Sequence, residues 1–247
     1  MKTSGSTKHL GFLTATAVLL CLALAFGACS IDGGPALSSG MAPIADDSSD
    51  VSESSDEVTD YLPVDIGNGL IISRISRYAG SFVEDGSDDT VSDVCAITVK
   101  NAAEKTVQYA RIVLTFGDTV CKFDLTTLPP GSSAQLLELS RTPLPDTGDS
   151  PAVTVANYAA FEQEPSMCED IFEITTQDTA ITITNRTEHD ITGQIYVYYK
   201  IAYGDLYLGG ITYRSGVAGL AAGESADCYA GHFSNDYSKL MFVTYVQ

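Results

Sequence analysis

The sequence predicts an all-β protein in which two tandem antiparallel β-sandwiches follow a signal peptide and a disordered acidic linker. Three observations lead to this prediction: a basic and then apolar N-terminus, an acidic stretch without Lys or Arg, and a remainder with the period-two alternation of strands. No ten-residue stretch beyond residue 29 has the periodicity of a helix. The predicted boundaries are residues 1–28 for the signal peptide, 29–61 for the linker, 62–164 for the first unit and 165–247 for the second.

The N-terminal segment has the three parts of a secretory signal peptide. Lys2 and Lys8 precede a mainly apolar stretch at 15–26, and the small residues Gly27 and Ala28 follow it. A basic head, an apolar middle and a small-residue exit are typical of segments that are removed on export. The stretch is shorter than the about 20 apolar residues that a transmembrane helix needs.

The residue after this exit is a cysteine, and the segment resembles a bacterial lipoprotein signal. Phe26 occupies the position where Leu is commonest in the lipobox, and Cys29 occupies the invariant place. The resemblance implies that Cys29 is the first mature residue, that palmitate-type acyl chains are attached to it, and that the protein is anchored to the cell membrane outside the cytoplasm. Two or three chains anchor far more stably than one. The alternative is an ordinary cleavage site beside an incidental cysteine.

Residues 30–60 predict a disordered tether. They carry eight carboxylates and no Lys or Arg, with Ser, Gly, Ala and Pro among the rest. Such a composition buries too little apolar surface to fold, and its like charges extend it. The interpretation is a spacer; the alternative is a binding tail for a basic partner. The net charge of −19 disfavours nucleic acid as a partner, because phosphates would be repelled.

The folded part contains one pattern twice. Each copy has a strand that ends in Asn, a second apolar strand and a Gly-containing turn, and the second copy has a longer hairpin at 204–214. The matching blocks are residues 96–101 with 180–185, 109–116 with 194–201, and 128–134 with 220–226.

Alternation within these strands predicts one buried face. In the second copy Ile195, Val197 and Tyr199 share a face, and Tyr196, Tyr198 and Lys200 lie opposite. Short alternating strands with polar turns are typical of a small antiparallel sandwich.

The order of these blocks resembles the immunoglobulin-like FxLYD group of bacterial envelope proteins. The resemblance implies two immunoglobulin-like sandwiches and no single activity. In the second copy it retains Asn185 and Gly223, but Tyr199-Lys200-Ile201 replaces the Phe-Gly-Asp of the first. The residues that carry it in the first copy are Asn101, Phe116, Asp118, Pro130 and Gly131.

Four cysteines remain in the predicted units, and export permits disulfides. One bond per unit is the simplest pairing, which joins Cys95 to Cys121 and Cys168 to Cys228. The alternative is four buried free thiols. Zinc is not expected, because no Cys-x-x-Cys motif is present and only two histidines follow the signal peptide.

Three further motifs are better explained by turns and loops than by sortase recognition, calcium binding or catalysis. Residues 144–148 spell the LPxTG sortase signal, but no apolar segment and basic tail follow, so turn chemistry explains them better. The acidic loop at 84–93 could hold calcium but lacks EF-hand spacing, which favours a solvated loop. His189 and His232 have no accompanying nucleophile motif, so no enzyme is predicted.

The predicted function is a non-catalytic surface or envelope interaction or spacer module, without cofactor or metal, whose partner is an unknown protein or glycan. Tyrosines crowd the central hairpin of the second unit, and their flat rings with polar tips suit such contacts. High strand propensity alone also accounts for many of these tyrosines, and a structural role is the favoured interpretation. A solute- or glycan-binding lipoprotein and an enzyme of unrecognised type remain as alternatives. The tyrosines of the possible binding face are Tyr196, Tyr198, Tyr203, Tyr207 and Tyr213.

Overall fold

The computed structural model of the protein describes residues 61–146 and 150–246, all within one compact unit that spans Glu53–Gln247. The predicted signal peptide, Cys29 and the tether up to residue 60 lie outside the described residues. The described ranges contain strands and turns without a helix, which confirms the all-β prediction there, and none of their segments is a helix that could cross a bilayer.

The strands alternate along the chain with short turns. They are β1 (Val64–Asp65), β2 (Leu70–Phe82), β3 (Asp89–Asn101), β4 (Val107–Phe116), β5 (Thr119–Leu128), β6 (Ser133–Leu137), β7 (Ala152–Ala160), β8 (Phe172–Gln177), β9 (Ala180–Asn185), β10 (Ile191–Tyr203), β11 (Leu206–Leu220), β12 (Ser225–Cys228) and β13 (Ser238–Tyr245).

A seven-stranded central sheet, in the order β1-β2-β3-β6-β11-β10-β13, contains strands from both predicted units. The two halves join where β6 pairs with the start of β11, with Ser133 opposite Leu206 and Gln135 opposite Leu208. This pair is parallel, whereas β6 is antiparallel to β3 on its other side. The long hairpin of the second half therefore extends the sheet of the first half.

Two three-stranded sheets, β5-β4-β7 and β12-β9-β8, pack against opposite faces of the central sheet. The first core holds side chains of β2 to β6 and, from the hairpin, Ala202 and Tyr207. The second core holds Ile195, Val197 and Tyr199 of β10, which project to the other face because side chains alternate along a strand. We call the face that carries Ala202 the first face and the face that carries Tyr199 the second face.

A third, smaller cluster lies where the two halves meet. It combines Phe82 and Val94 of the first half with Leu208 of the hairpin. The predicted boundary near residue 164 falls between β7 and β8. The second core is built from residues after it, whereas the first core combines residues before it with Ala202 and Tyr207. Because one sheet continues across that boundary, the division into two tandem units stays a prediction.

Two buried asparagines make matching hydrogen bonds in the two halves. The side-chain amide of Asn101 donates to the carbonyls of Lys105 and Leu128, and that of Asn185 donates to those of His189 and Leu220. Each side-chain oxygen accepts the amide two residues later. Their backbone carbonyls accept the amides of the turn residues Gly131 and Gly223, which have positive φ of 74° and 71°.

Candidate functional site

The hairpin formed by β10 and β11 carries all five tyrosines of the predicted binding face, but it does not expose them all. Tyr207 is buried in the first core, and Tyr213 is buried in the second. The Tyr213 hydroxyl donates to the Val83 carbonyl at 2.9 Å, and burial raises the pKa of both phenols. The prediction of an exposed face was therefore wrong for Tyr207 and Tyr213, because the hairpin packs against the rest of the molecule.

Tyr196 and Tyr198 lie on the first face and are half-buried under partners from the same chain. The Tyr198 ring stacks on Phe242 with centroids 4.2 Å apart, and the Arg214 guanidinium lies 4.8 Å from the Tyr196 centroid. A Cβ at Gly216, directly opposite Tyr196, would lie 2.7 Å from its ring. The missing side chain of Gly216 thus makes room for Tyr196, and both rings are used in sheet packing.

Tyr203, at the end of β10, is the most exposed tyrosine of the predicted face. It is 56% exposed and lies 5.4 Å, centroid to centroid, from Tyr237, which is 46% exposed. The adjacent turn carries Asp205, whose carboxylate pairs with Lys239 at 3.6 Å. These two rings form the aromatic surface of the hairpin tip that remains open to a partner.

Lys200 lies on the first face, opposite Tyr199, as the alternation predicts, but it is fully buried. At this point of β10 the sheet β5-β4-β7 covers the first face, so both faces of the strand are buried. The ammonium donates to the carbonyls of Thr126 at 3.0 Å, Gly210 at 3.0 Å and Ile211 at 2.7 Å. Burial lowers the pKa of Lys200 to about 7, and the negative charge of Glu84 opposes that shift.

Glu84 is the second member of this buried polar centre. Its carboxylate accepts the Gly210 amide at 2.9 Å and the Leu137 amide at 2.9 Å. Burial raises the pKa of Glu84, while the backbone amides and the Lys200 charge act in the opposite direction. Gly210 is required here, because a Cβ would lie 1.6 Å from the Asp124 carbonyl oxygen of β5.

The acidic loop between β2 and β3 is held by cationic side chains of the same chain. The Arg141 guanidinium donates to Asp85 at 2.8 Å and to Asp89 at 3.0 Å, and it lies over the Phe82 ring. The side-chain and backbone hydrogen bonds of Ser87 lower the pKa of Asp85 to about 2, with Arg141 adding to the effect. An arginine therefore occupies the position that the calcium alternative would give to the ion.

The two predicted loop histidines serve different local contacts. His232 Nδ1 lies 2.9 Å from Asp88 Oδ2, and its ring stacks on Tyr213 with centroids 4.6 Å apart. The His189 carbonyl accepts a hydrogen bond from Asn185. Neither contact brings a hydroxyl or thiol nucleophile to an imidazole nitrogen.

All four cysteines of the described residues are free thiols. Cys95 and Cys121 project from facing sheets into the first core, and a hydrogen bond between their sulfurs raises the pKa of Cys95 and lowers that of Cys121. Cys168 and Cys228 belong to the second core, where Cys168 Sγ lies 4.0 Å from the Val243 carbonyl. The structure thus has the free-thiol alternative rather than the two predicted disulfides.

The LPxTG-like segment forms part of the connection between β6 and β7. Leu144 is buried in the first core, and Asp146 pairs with Arg77. Residues 147–149 lie outside the described residues. Within the described ranges no group of three or more His, Cys, Asp or Glu side chains could hold a metal ion.

No protein-family model, curated protein or solved structure matches this chain.

The polar centre of Lys200 and Glu84 is the feature that sequence reasoning missed. Lys200 follows the apolar run 195–199, and two consecutive glycines, Gly209 and Gly210, stand on the paired strand. A lysine inside an apolar strand opposite a glycine pair indicates that backbone approaches closely from another sheet. Alternation along the strand predicts only that Lys200 lies opposite the buried face of Ile195, Val197 and Tyr199.

Proposed function

We propose that the protein is a lipid-anchored extracytoplasmic lipoprotein whose folded part is a non-catalytic interaction or spacer module. The observation that carries the proposal is the exposed pair of Tyr203 and Tyr237 at the hairpin tip, since the tip is fixed by buried contacts behind it. Rigid aromatic side chains offer contact area at low cost in conformational entropy.

The folded part is proposed to be two tandem immunoglobulin-like sandwiches that have fused through one sheet. The matching hydrogen bonds of Asn101 and Asn185 support two copies of one unit, and the two separate cores agree with them. The longer hairpin of the second copy is the element that differs between the copies, and it joins them.

The anchor is proposed from the sequence of residues 1–29 alone. The test compares the intact protein with Cys29→Ser in the membrane fraction of the producing bacterium, together with mass spectrometry of the N-terminal peptide. The proposal expects an acylated Cys29 peptide and release of the Cys29→Ser protein from the membrane. An unmodified thiol at Cys29 in membrane-extracted protein would contradict the anchor.

The contact surface is tested by cross-linking the full chain in its native membrane. The double variant Tyr203→Ser/Tyr237→Ser is compared with Tyr229→Ser, a matched control because Tyr229 is 92% exposed and outside the pair. Loss of cross-linked partners from the double variant alone supports the contact site. Parallel binding to immobilised envelope glycans distinguishes the glycan-binding alternative from protein contact. Equal capture by all forms would reject the tyrosine pair.

A further inference from the structure

The edge strands of the three sheets differ in how they are protected. An open edge presents backbone amides and carbonyls that can pair with another chain, so proteins usually shorten, charge or cover such strands. Five of the six edges are protected within the described residues. β1 has two residues, β12 has four, and β8 carries the exposed Glu173. On β13 the Val243 amide donates to the Ser166 carbonyl, and on β5 the Lys122 carbonyl accepts the Leu139 amide.

The sixth edge, β7, has none of these protections. It runs for nine residues and pairs with β4 on one side, and no backbone hydrogen bond from the described residues reaches its other side. Residues 150–161 contain no charged side chain, although the chain has a net charge of −19. The nearest carboxylates in the sequence, Asp149 and Glu162, lie outside this stretch. β7 therefore presents an uncharged row of backbone donors and acceptors.

A β-bulge in the middle of β7 interrupts the alternation of its side chains. Asn157 lies opposite Arg111 and Val155 lies opposite Ile112, so Ala156 is an extra residue on β7. As a result, the order of exposed and half-buried positions is the same over four residues in both directions from the midpoint between Ala156 and Asn157. The half-buried positions are Val153, Val155, Tyr158 and Ala160, and the exposed positions are Ala152, Thr154, Ala156, Asn157 and Ala159.

A strand with this symmetry matches a second copy of itself. Residues directly opposite one another in an antiparallel pair lie on the same side of the sheet. Two β7 strands centred on that midpoint place Val155 of each copy opposite Tyr158 of the other, on the side of the first core. Thr154 then lies opposite Ala159 on the exposed side. Pairs of a β-branched and an aromatic side chain stabilise neighbouring strands, and two-fold symmetry forms this pair twice.

We propose that β7 pairs antiparallel with β7 of a second copy of this chain, around a two-fold axis between Ala156 and Asn157. The two β5-β4-β7 sheets then form one six-stranded sheet, and both open edges gain hydrogen-bond partners. The neutral stretch lets the two backbones approach although each copy is strongly acidic. The inference goes beyond the proposed function and does not involve Tyr203 or Tyr237.

The test is sedimentation equilibrium of the full chain in detergent across a range of protein concentrations. A concentration-dependent dimer is expected, because pairing through one strand buries less area than a standard interface. Salt should strengthen the dimer by screening the repulsion between two acidic copies. Asn157→Lys places a cation of each copy beside the two-fold axis and is expected to weaken dimerisation at least about tenfold. The matched control is Thr175→Lys, which adds the same charge at an exposed position of the edge strand β8 and should leave the dimer unchanged.

A mixture of two variants tests the register. Ala156→Asp should also weaken self-association, but a mixture of Ala156→Asp with Asn157→Lys should recover the dimer, because the introduced charges then lie directly opposite one another. Ala156 and Asn157 are exposed, so circular-dichroism melts of the variants should match that of the unmodified protein.

Three outcomes would each overturn the inference. They are a monomer at every concentration, equal weakening by Asn157→Lys and Thr175→Lys, and a mixture of the two charged variants that does not recover the dimer. Partner cross-linking that depends on Tyr203 and Tyr237 would in each case still support the proposed contact site.

Discussion

At the scale of single residues, the ammonium of Lys200 and the carboxylate of Glu84 meet around one glycine. Glu84 accepts the Gly210 amide, and Lys200 donates to the Gly210 carbonyl. The Lys200 Nζ has three carbonyl acceptors at distances of 3.0 Å or less. A buried charge of this kind persists only when its partners are satisfied, so the pair fixes how β5, β10 and β11 meet.

Removing one member of this pair should destabilise the protein strongly. Lys200→Met leaves the half-buried Glu84 without its counter-charge, and we expect a loss of about 3–5 kcal/mol in the free energy of unfolding. The measurement is urea denaturation. Lys200→Met/Glu84→Gln should recover part of the loss, and Lys239→Met, whose partner Asp205 is exposed, should cost less than about 1 kcal/mol. Equal losses in all three variants would contradict the role of the pair.

The Asp85 carboxylate should become protonated only at an unusually low pH. Its pKa in the folded protein is lowered to about 2 from the usual aspartate value of 3.8, so its contribution to stability is complete above the unfolded value. That contribution is lost as the pH falls through about 2. Ser87→Ala should move the pKa of Asp85 upward, because Ser87 is the main cause of the shift. Carbon-13 NMR of the Asp85 side chain measures this change, and Ser81→Ala should leave it unchanged.

At the scale of elements, the faces of the β10–β11 hairpin could be predicted from the sequence, but their burial could not. Alternation correctly assigned Tyr199 and Lys200 to opposite faces, because side chains in a strand have period two. It could not show that a different sheet covers each face, since that depends on β5 and β9, which are distant in sequence. Tyr207 was therefore predicted as exposed although it completes a core.

The two buried asparagines, by contrast, depend mainly on local sequence, so their equivalence was predictable. Asn101 and Asn185 follow similar strands and precede polar turns, so their matching positions could be recognised in the sequence. Their hydrogen bonds are local or end at the following Gly turn, and local geometry repeats when local sequence repeats. The parallel pairing of β6 with β11 had no such signal, because it joins residues far apart along the chain.

The crossing of β11 over β5 should be sensitive to a single methyl group. Gly210→Ala places a Cβ 1.6 Å from the Asp124 carbonyl oxygen, so backbone must move, and we expect a loss of at least about 3 kcal/mol. Gly204→Ala is the matched control. Its Cβ would contact nothing within 4 Å, and its positive φ of 59° alone costs about 1 kcal/mol. Thermal unfolding followed by circular dichroism compares the two, and similar losses would refute the close approach.

At the scale of the whole molecule, two cores share one sheet. The first core requires Ala202 and Tyr207 from the second half, and the third cluster combines residues of both halves. The loop 83–89 adds further links, since Tyr213 donates to Val83 and His232 contacts Asp88. Neither half can open at this junction without exposing part of the other.

The two halves should therefore unfold in one cooperative transition. Differential scanning calorimetry is expected to give equal calorimetric and van't Hoff enthalpies. Lys200→Met/Glu84→Gln weakens the junction and should leave the transition single but lower its midpoint, whereas the exposed Lys122→Gln should not change it. Two resolved transitions in the unmodified protein would show that the halves are independent.

The parallel neighbour of β6 has a consequence for biosynthesis. A ribosome makes β6 before β11, so during synthesis the nascent first half lacks one neighbouring strand of its central sheet and the two side chains that complete its core. Chains that stall before residue 206 would present an unpaired strand to quality-control proteases and chaperones. Synthesis of the residues from 206 onward is thus the event that commits the whole product to its native state.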